Sequence, residues 1–408
     1  METIQLLWME SQRGGFWPGL RSLTCNIGWD VVPFILLFLT PTITNLDLTL
    51  PRESNLLLQP TLSLLTYTCR QLQSLAMNVG TPDPVSGGEM ARLVSASRHT
   101  LRHINIRTST PPDIFPVIFS LSQLRNLTLQ EPSLPNQVSP KVLPHLQAIN
   151  FNGNHGPNLP QFLRGLSAPG LARVRIFRGP TIQLPTLLES LRGASARAID
   201  TLYLSPATAL DNSSITLLRS FTNLTSLTIG CVCEDRELSG PCSFQLTDKN
   251  VQELGEALPR VRFLTLGSDC LGPRQVTFSS LVCLARMCSN LESLSIRVDF
   301  TNIVGGLDRL NDGNPSLRTD SDRPHRAARK LERLAFGNSP LPDTPRCEWV
   351  IALALVSIFP SIRYIFSHCS DSEEMCRRWE EVRGDALVCQ KILGIGQAAG
   401  KSPSTSVF

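Results

Sequence analysis

Histidine, tyrosine and methionine are scarce in this chain of 408 residues, which holds six, three and six of them. Charge is sparse too: Asp, Glu, Lys and Arg make up 18% of the sequence and leave a net +4. No basic stripe is expected of the kind that binds nucleic acid or an anionic membrane surface. So little charge beside 42% hydrophobic residues also excludes a disordered chain. Long apolar runs are missing. Phe34 to Leu39 and Val350 to Phe359 fall short of the roughly 20 residues that cross a bilayer. Met1 to Glu10 lacks the basic start, apolar stretch and small-residue cleavage site of a secretory leader. The expectation is an intracellular protein, cytoplasmic or nuclear.

Catalytic signatures are absent as well: there is no G-x-S-x-G elbow, no H-E-x-x-H helix and no kinase set. Gly394-Ile-Gly396-Gln-Ala-Ala-Gly400-Lys401-Ser402 comes near a phosphate-binding loop, but Ile395 stands where its first glycine is required. His99 and His103 are four apart, a metal-holding spacing on a helix, yet His103 falls in a strand and no glutamate follows His99. The twelve cysteines are irregularly spaced, and Cys231, Cys233, Cys242 and Cys270 lack paired C-x-x-C knuckles. They read as reduced thiols, mostly small core residues. The sequons at Asn126, Asn212 and Asn223 read as unglycosylated in an intracellular chain. No catalytic residue, metal or cofactor is expected, and no enzyme.

What the sequence does carry is a repeat, apolar-x-x-apolar-x-apolar. It is seen in Leu20-Arg-Ser-Leu23-Thr-Cys25, Leu101-Arg-His-Ile104-Asn-Ile106 and Leu124-Arg-Asn-Leu127-Thr-Leu129. Thirteen matches begin at Leu20, Ile43, Leu72, Leu101, Leu124, Leu146, Leu171, Ile199, Leu224, Val261, Leu291, Leu331 and, most weakly, Ile362. Their mean spacing, about 28.5 residues, lies in the leucine-rich-repeat range. Alternating apolar residues such as Leu127 and Leu129 make a short strand with one face inward, and Leu124 enters the core just before it. Between matches lie stretches of helical apolar spacing: Glu89 to Ser97, Pro160 to Leu166, Thr186 to Leu191, Thr247 to Leu258 and Val276 to Met287. Thr247 or Asp248 can cap the fourth of these.

The fold class is therefore α/β, an irregular leucine-rich-repeat solenoid or horseshoe with parallel strands on the concave face and helices on the convex face. Residues 1–19 form a lead-in, and 20–368 the solenoid of about 13 repeats with solvated insertions at 230–244 and 301–330. A C-terminal capping helix follows in 369–393, with Met375, Trp379 and Val382 on one side, and 394–408 is a disordered tail.

Alternation also predicts which residues face a partner: the third, fifth and seventh of each match. The charged ones are Arg107, Arg173, Arg175, Arg297 and Arg333 against one acid, Asp47. Arg173, Arg175 and Phe177 lie on one strand beside Tyr203 on the next, residue types enriched where binding energy concentrates. Arg107, Arg173, Arg175, Phe177 and Tyr203 are the candidate partner-binding residues, for a protein partner that is acidic or phosphorylated near them.

The chain resembles the leucine-rich-repeat portion of F-box proteins, in particular the irregular group found in mushroom-forming fungi. The resemblance rests on Phe16-Trp17-Pro18-Gly19-Leu20-Arg21-Ser22-Leu23, on Pro33-Phe34-Ile35-Leu36-Leu37-Phe38-Leu39-Thr40-Pro41 before Ile43-Thr-Asn-Leu46, and on Trp379 near the end. It implies the substrate-recognition part of an F-box-type ubiquitin-ligase receptor, whose F-box docks the ligase adaptor while the repeats hold the substrate. The repeats begin by Leu20, so that adaptor is expected as a partner only if an F-box lies upstream. The alternative is a stand-alone leucine-rich-repeat scaffold with no ligase role.

Overall fold

A computed structural model of the chain describes residues 17, 19–26, 35–50, 55–79, 84–132, 134, 141–153, 158–177, 183–205, 210–230, 246–267, 276–301, 303, 330–337, 339–344, 346–367 and 373–394. It divides into two compact units, residues 1–204 and 205–408. In the first, eight strands lie each parallel to its neighbour: β1 Ser22–Asn26, β2 Asn45–Leu50, β3 Ser74–Val79, β4 His103–Thr110, β5 Asn126–Pro132, β6 Ala148–Asn152, β7 Arg173–Phe177 and β8 Thr201–Leu204, while a short separate pair joins Lys141–Val142 to Leu166–Ser167. The second contains five: β9 Ser226–Ile229, β10 Phe263–Leu266, β11 Ser293–Ile296, β12 Arg333–Ala335 and β13 Tyr364–Phe366. Each of β1 to β13 begins at the third residue of its sequence match. Helices connect most of these strands, and the fold is the leucine-rich-repeat α/β solenoid.

One backbone device repeats at each step. In the first unit the carbonyl of Arg21 accepts from the N–H groups of both Thr44 and Asn45, that of Thr44 from Gln73 and Ser74, and that of Gln73 from Arg102 and His103. In the second, Thr225 holds Arg262 and Phe263, Arg262 holds Glu292 and Ser293, and Glu332 holds Arg363 and Tyr364 in the same way. A carbonyl with two lone pairs thus locks two consecutive amides of the next repeat, which sets the register before the strand starts. Just upstream, a tight turn closes from the first apolar residue of the match to the carbonyl three back: Leu124 to Leu121, Leu171 to Ala168, Leu224 to Phe221, Val261 to Leu258 and Ile362 to Phe359. Those earlier residues are all buried. Each of these five repeats therefore sends one more side chain into the core than the six-residue pattern counts.

The strands shorten along the chain. In the first unit β1 to β7 reach the seventh residue of the match or beyond, whereas β8 to β11 end at the sixth and β12 and β13 at the fifth. Gly267 and Gly337 occupy the seventh position with φ of 52°, where the chain leaves the strand in the left-handed region that favours glycine. The seventh residue is thus a sheet-face residue only in β1 to β7, and Arg297 lies half-buried past the end of β11.

Three helix starts in the second unit are capped by side chains. Asp211 caps the helix Asn212–Leu218, accepting from the Ser214 amide at 2.9 Å and the Ser213 hydroxyl at 2.8 Å. Thr247 caps Asp248–Ala257 through a reciprocal box with Asn250. Asp248 serves the following helix instead, Phe278–Met287. Its carboxylate accepts from the Thr277 amide and hydroxyl, both at 2.7 Å, and from the hydroxyls of Ser279 and Ser280. Gly255 lets these two helices close up, because a Cβ there would lie 3.1 Å from the Met287 sulfur.

The second unit ends in the helices Cys347–Ile358 and Glu373–Ile392, which pack together. Trp379 is 2% exposed, stacks on Phe336 at 5.0 Å, meets Phe300 edge-on at 5.5 Å, and donates its indole N–H to the Ser339 carbonyl at 3.1 Å. Val382 is buried beside it and Met375 is half-buried. Arg378, with a side chain 12% exposed, pairs with Glu348 at 2.6 Å and also donates to the Pro342 carbonyl. Burial pushes the Glu348 carboxyl up, but the Arg378 hydrogen bond and charge prevail and hold it below the usual range. No described helix is long and apolar enough to cross a membrane. The expected insertions, 230–244 and 301–330, and the expected tail, 394–408, lie outside the described residues apart from 230, 301, 303, 330 and 394.

Candidate partner-binding face

Alternation exposes one face of each sheet. On β7, Val174 and Ile176 are buried, while Arg173 and Arg175 are exposed and Phe177 half-buried. Register sets Arg173 level with Ala148 of β6 and Thr201 of β8, and Arg175 level with Asn150 and Tyr203. The rings of Phe177 and Tyr203 meet edge to face at 5.1 Å and 76°, a favoured aromatic geometry. Four of the five candidate residues are therefore brought together on adjacent strands. The guanidinium stems of Arg173 and Arg175 leave the backbone about 6.7 Å apart, as residues i and i+2 of a strand do.

Arg107 belongs elsewhere. It pairs with Asp47 at 3.3 Å, reaching across the short side chain of Ala76, and with its amide turned Asn105 also accepts from the guanidinium at 3.0 Å. The only acid expected on this face is thereby engaged by the first of its arginines. Among the described residues neither Arg173 nor Arg175 has an ion-pair partner. Two forks of donors on a rigid strand can clamp a carboxylate or phosphate.

Between these charges the face is knit by its own polar groups. The Asn126 amide nitrogen joins Nδ1 of His103 at 2.8 Å, and that of Asn150 donates to the Thr128 hydroxyl at 3.0 Å. Burial, then the charges of Arg125 and Arg102, keep the His103 pKa below its ordinary value, which favours the neutral ring that accepts this bond. His103 and His99 thus part company: His99 receives a bond from Arg98 at 2.9 Å and is no metal partner for a strand histidine. No group of three or more metal-ligating side chains occurs among the described residues. Cys231, Cys233, Cys242 and Cys270, and the glycine-rich stretch from Ile395 onward, lie outside them. Seven described cysteines are free thiols, and burial lifts the pKa of Cys69 and Cys288 to about 12, well away from the reactive range.

Attention to charge overlooked aromatic residues at the same outward positions in the second unit. Phe263 on β10 and Tyr364 and Phe366 on β13 stand exposed, each at the third or fifth residue of its match. The register rule alone points to them, since a large apolar residue on the outward side of an alternating strand has no core to enter.

No family model and no curated protein matches the chain. Among solved structures it is similar to a chain of the complex of Rad7 and Elc1 from yeast, at 16% identity and a TM-score of 0.46, over 85% of this chain and 75% of that one. It is similar to the leucine-rich repeat-containing protein LegL7 of Legionella pneumophila, at 14% identity and a TM-score of 0.39, over 90% and 98%. A leucine-rich-repeat protein of Leptospira interrogans shows 15% identity and a TM-score of 0.32, over 90% and 93%.

Proposed function

We propose that the chain is a protein-interaction module that takes an acidic or phosphorylated segment of a protein partner on Arg173 and Arg175, with Phe177 and Tyr203 supplying contact area. The observation that carries this reading is the pair of exposed guanidiniums without an ion-pair partner among the described residues, beside two preorganised rings. Arg107, tied to Asp47, is left out of the contact. Affinity purification with mass spectrometry on the wild type and on Arg173→Glu with Arg175→Glu tests it. The double variant should lose a defined set of proteins, and phosphatase treatment of the lysate should release those held by phosphate. An unchanged set of captured proteins rules the site out.

The partner so held is a substrate, and the module is the recognition part of an F-box-type ubiquitin-ligase receptor. The support is the resemblance of residues 16–46 and of Trp379 to the repeats of such proteins. Expression from the full genomic locus should then yield a protein that co-purifies with the ligase adaptor. Its absence from such preparations leaves the module as a scaffold.

A further inference from the structure

We infer that the exposed face of β10 to β13 is a second docking surface, built for an extended segment of another protein that presents a carboxylate and, two residues away, a bulky apolar side chain. It rests on none of the residues of the β7 patch. Two rows cross these strands in register. One reads Phe263, Ser293, Arg333, Tyr364; the next reads Thr265, Ser295, Ala335, Phe366. Their neighbours Leu264, Leu294, Leu334 and Ile365 are buried, so both rows face outward.

The rows describe a channel. Its walls, Phe263 on one side and Tyr364 with Phe366 on the other, are 37%, 42% and 48% exposed and stand three strand spacings apart, about 14 Å between backbones. Its floor along β11 and the end of β12 is Ser293, Ser295 and Ala335, short side chains that leave room for one extended chain. The walls are held in place: the Arg262 guanidinium lies 5.5 Å from the Phe263 ring centre, and Tyr364 and Phe366 stack at 6.0 Å and 12°. Rigid aromatic area of this kind loses little conformational entropy when it is covered.

Charge chooses the occupant. On the flank, Arg262 with Glu292 at 2.8 Å and Arg363 with Glu332 at 3.8 Å cancel one another. Arg333 is exposed, has no ion-pair partner among the described residues, and no strand residue on the outward face of β9 to β13 is acidic. An extended peptide sets residues i and i+2 on one side about 6.7 Å apart, the same step that separates Arg333 from Ala335. A carboxylate over Arg333 therefore brings the side chain two residues on over Ala335, against Phe366.

A random-peptide library displayed on phage and panned on the full chain tests this. It should enrich sequences with an acid and an apolar residue at that spacing. Labelled copies should bind about tenfold or more weakly to Arg333→Glu and to Tyr364→Ser with Phe366→Ser. Arg333→Lys should retain more affinity than Arg333→Glu. Arg173→Glu with Arg175→Glu should leave these peptides unaffected, so failure here and failure of the β7 site are told apart. If the aromatic double variant unfolds, Arg333→Glu alone decides. A library that enriches no peptide sensitive to Arg333→Glu, or enriches peptides without that spacing, overturns the inference.

Discussion

Trp379 is the side chain whose loss the second unit should feel most. A tryptophan buries up to about 250 Å², and at about 25 cal/mol per Å² its burial is worth up to roughly 6 kcal/mol. Truncation leaves a cavity between Phe336 and Phe300, and measured costs of such changes centre on about 3–5 kcal/mol. Trp379→Phe keeps a ring on Phe336 but removes the donor to the Ser339 carbonyl, in a residue with no exposure. An acceptor so stranded costs about 1–3 kcal/mol. Urea unfolding followed by circular dichroism should therefore rank wild type, then Phe, then Ala. Hydrogen exchange should show Glu373–Ile392 losing protection before β10 and β11. If Trp379→Ala cost less than about 1 kcal/mol, or exchange in that helix were unchanged, the helix could not be held by this contact.

Asp248→Ala should destabilise by about 2 kcal/mol, since it removes a charged acceptor from the start of the next helix. Asp248→Asn should cost less, and thermal melts of both check this. Acid should weaken the packing of the last two helices. Glu348 has a lowered pKa in the folded state, so its contribution is whole above its ordinary value of 4.5 and fades as the pH falls through the lowered one. Glu348→Gln should flatten that part of the melting-temperature profile. Asp385, raised by burial and then by Glu381 and Glu348, acts in the opposite sense, and Asp385→Asn should raise stability near neutral pH.

The strands were legible because their signal is local. A period-2 alternation is set by the backbone itself, and even the weak match at Ile362 gives a strand whose central Ile365 is buried. The helices were legible only where one side faces water, as in Asp248–Ala257. Cys347–Ile358 shows no helical period in its sequence because Ile351, Ala352, Ala354, Leu355 and Val356 are all buried, leaving few polar positions to mark a face. Asn55–Thr68 carries Pro60 within it, a residue that argues against a helix in isolation. Pairing was out of reach for a different reason. Asp47 and Arg107 are sixty residues apart in sequence and meet only because successive repeats stack, so a list of outward arginines could not separate Arg107 from Arg173, Arg175 and Arg333.

That separation gives the two proposed surfaces different physics. Exposed ion pairs add little to stability, about 0–1 kcal/mol each, so Asp47, Glu292 and Glu332 matter chiefly by cancelling the charge of Arg107, Arg262 and Arg363. What remains among the described strand residues of the outward faces is two adjacent cations on β7 with two half-buried rings beside them, and one cation on β12 between exposed rings. Attraction to the first falls as ions screen it, over a Debye length of about 10 Å at 0.1 M salt. Contact with the second removes apolar surface from water, which salt does not screen. Raising salt from about 0.05 to 0.5 M should therefore weaken binding at β7 by a larger factor than binding at β10 to β13. Titrations of a ligand for each face, at both concentrations, measure the two slopes. Equal slopes would mean that charge, and not the aromatic walls, governs both.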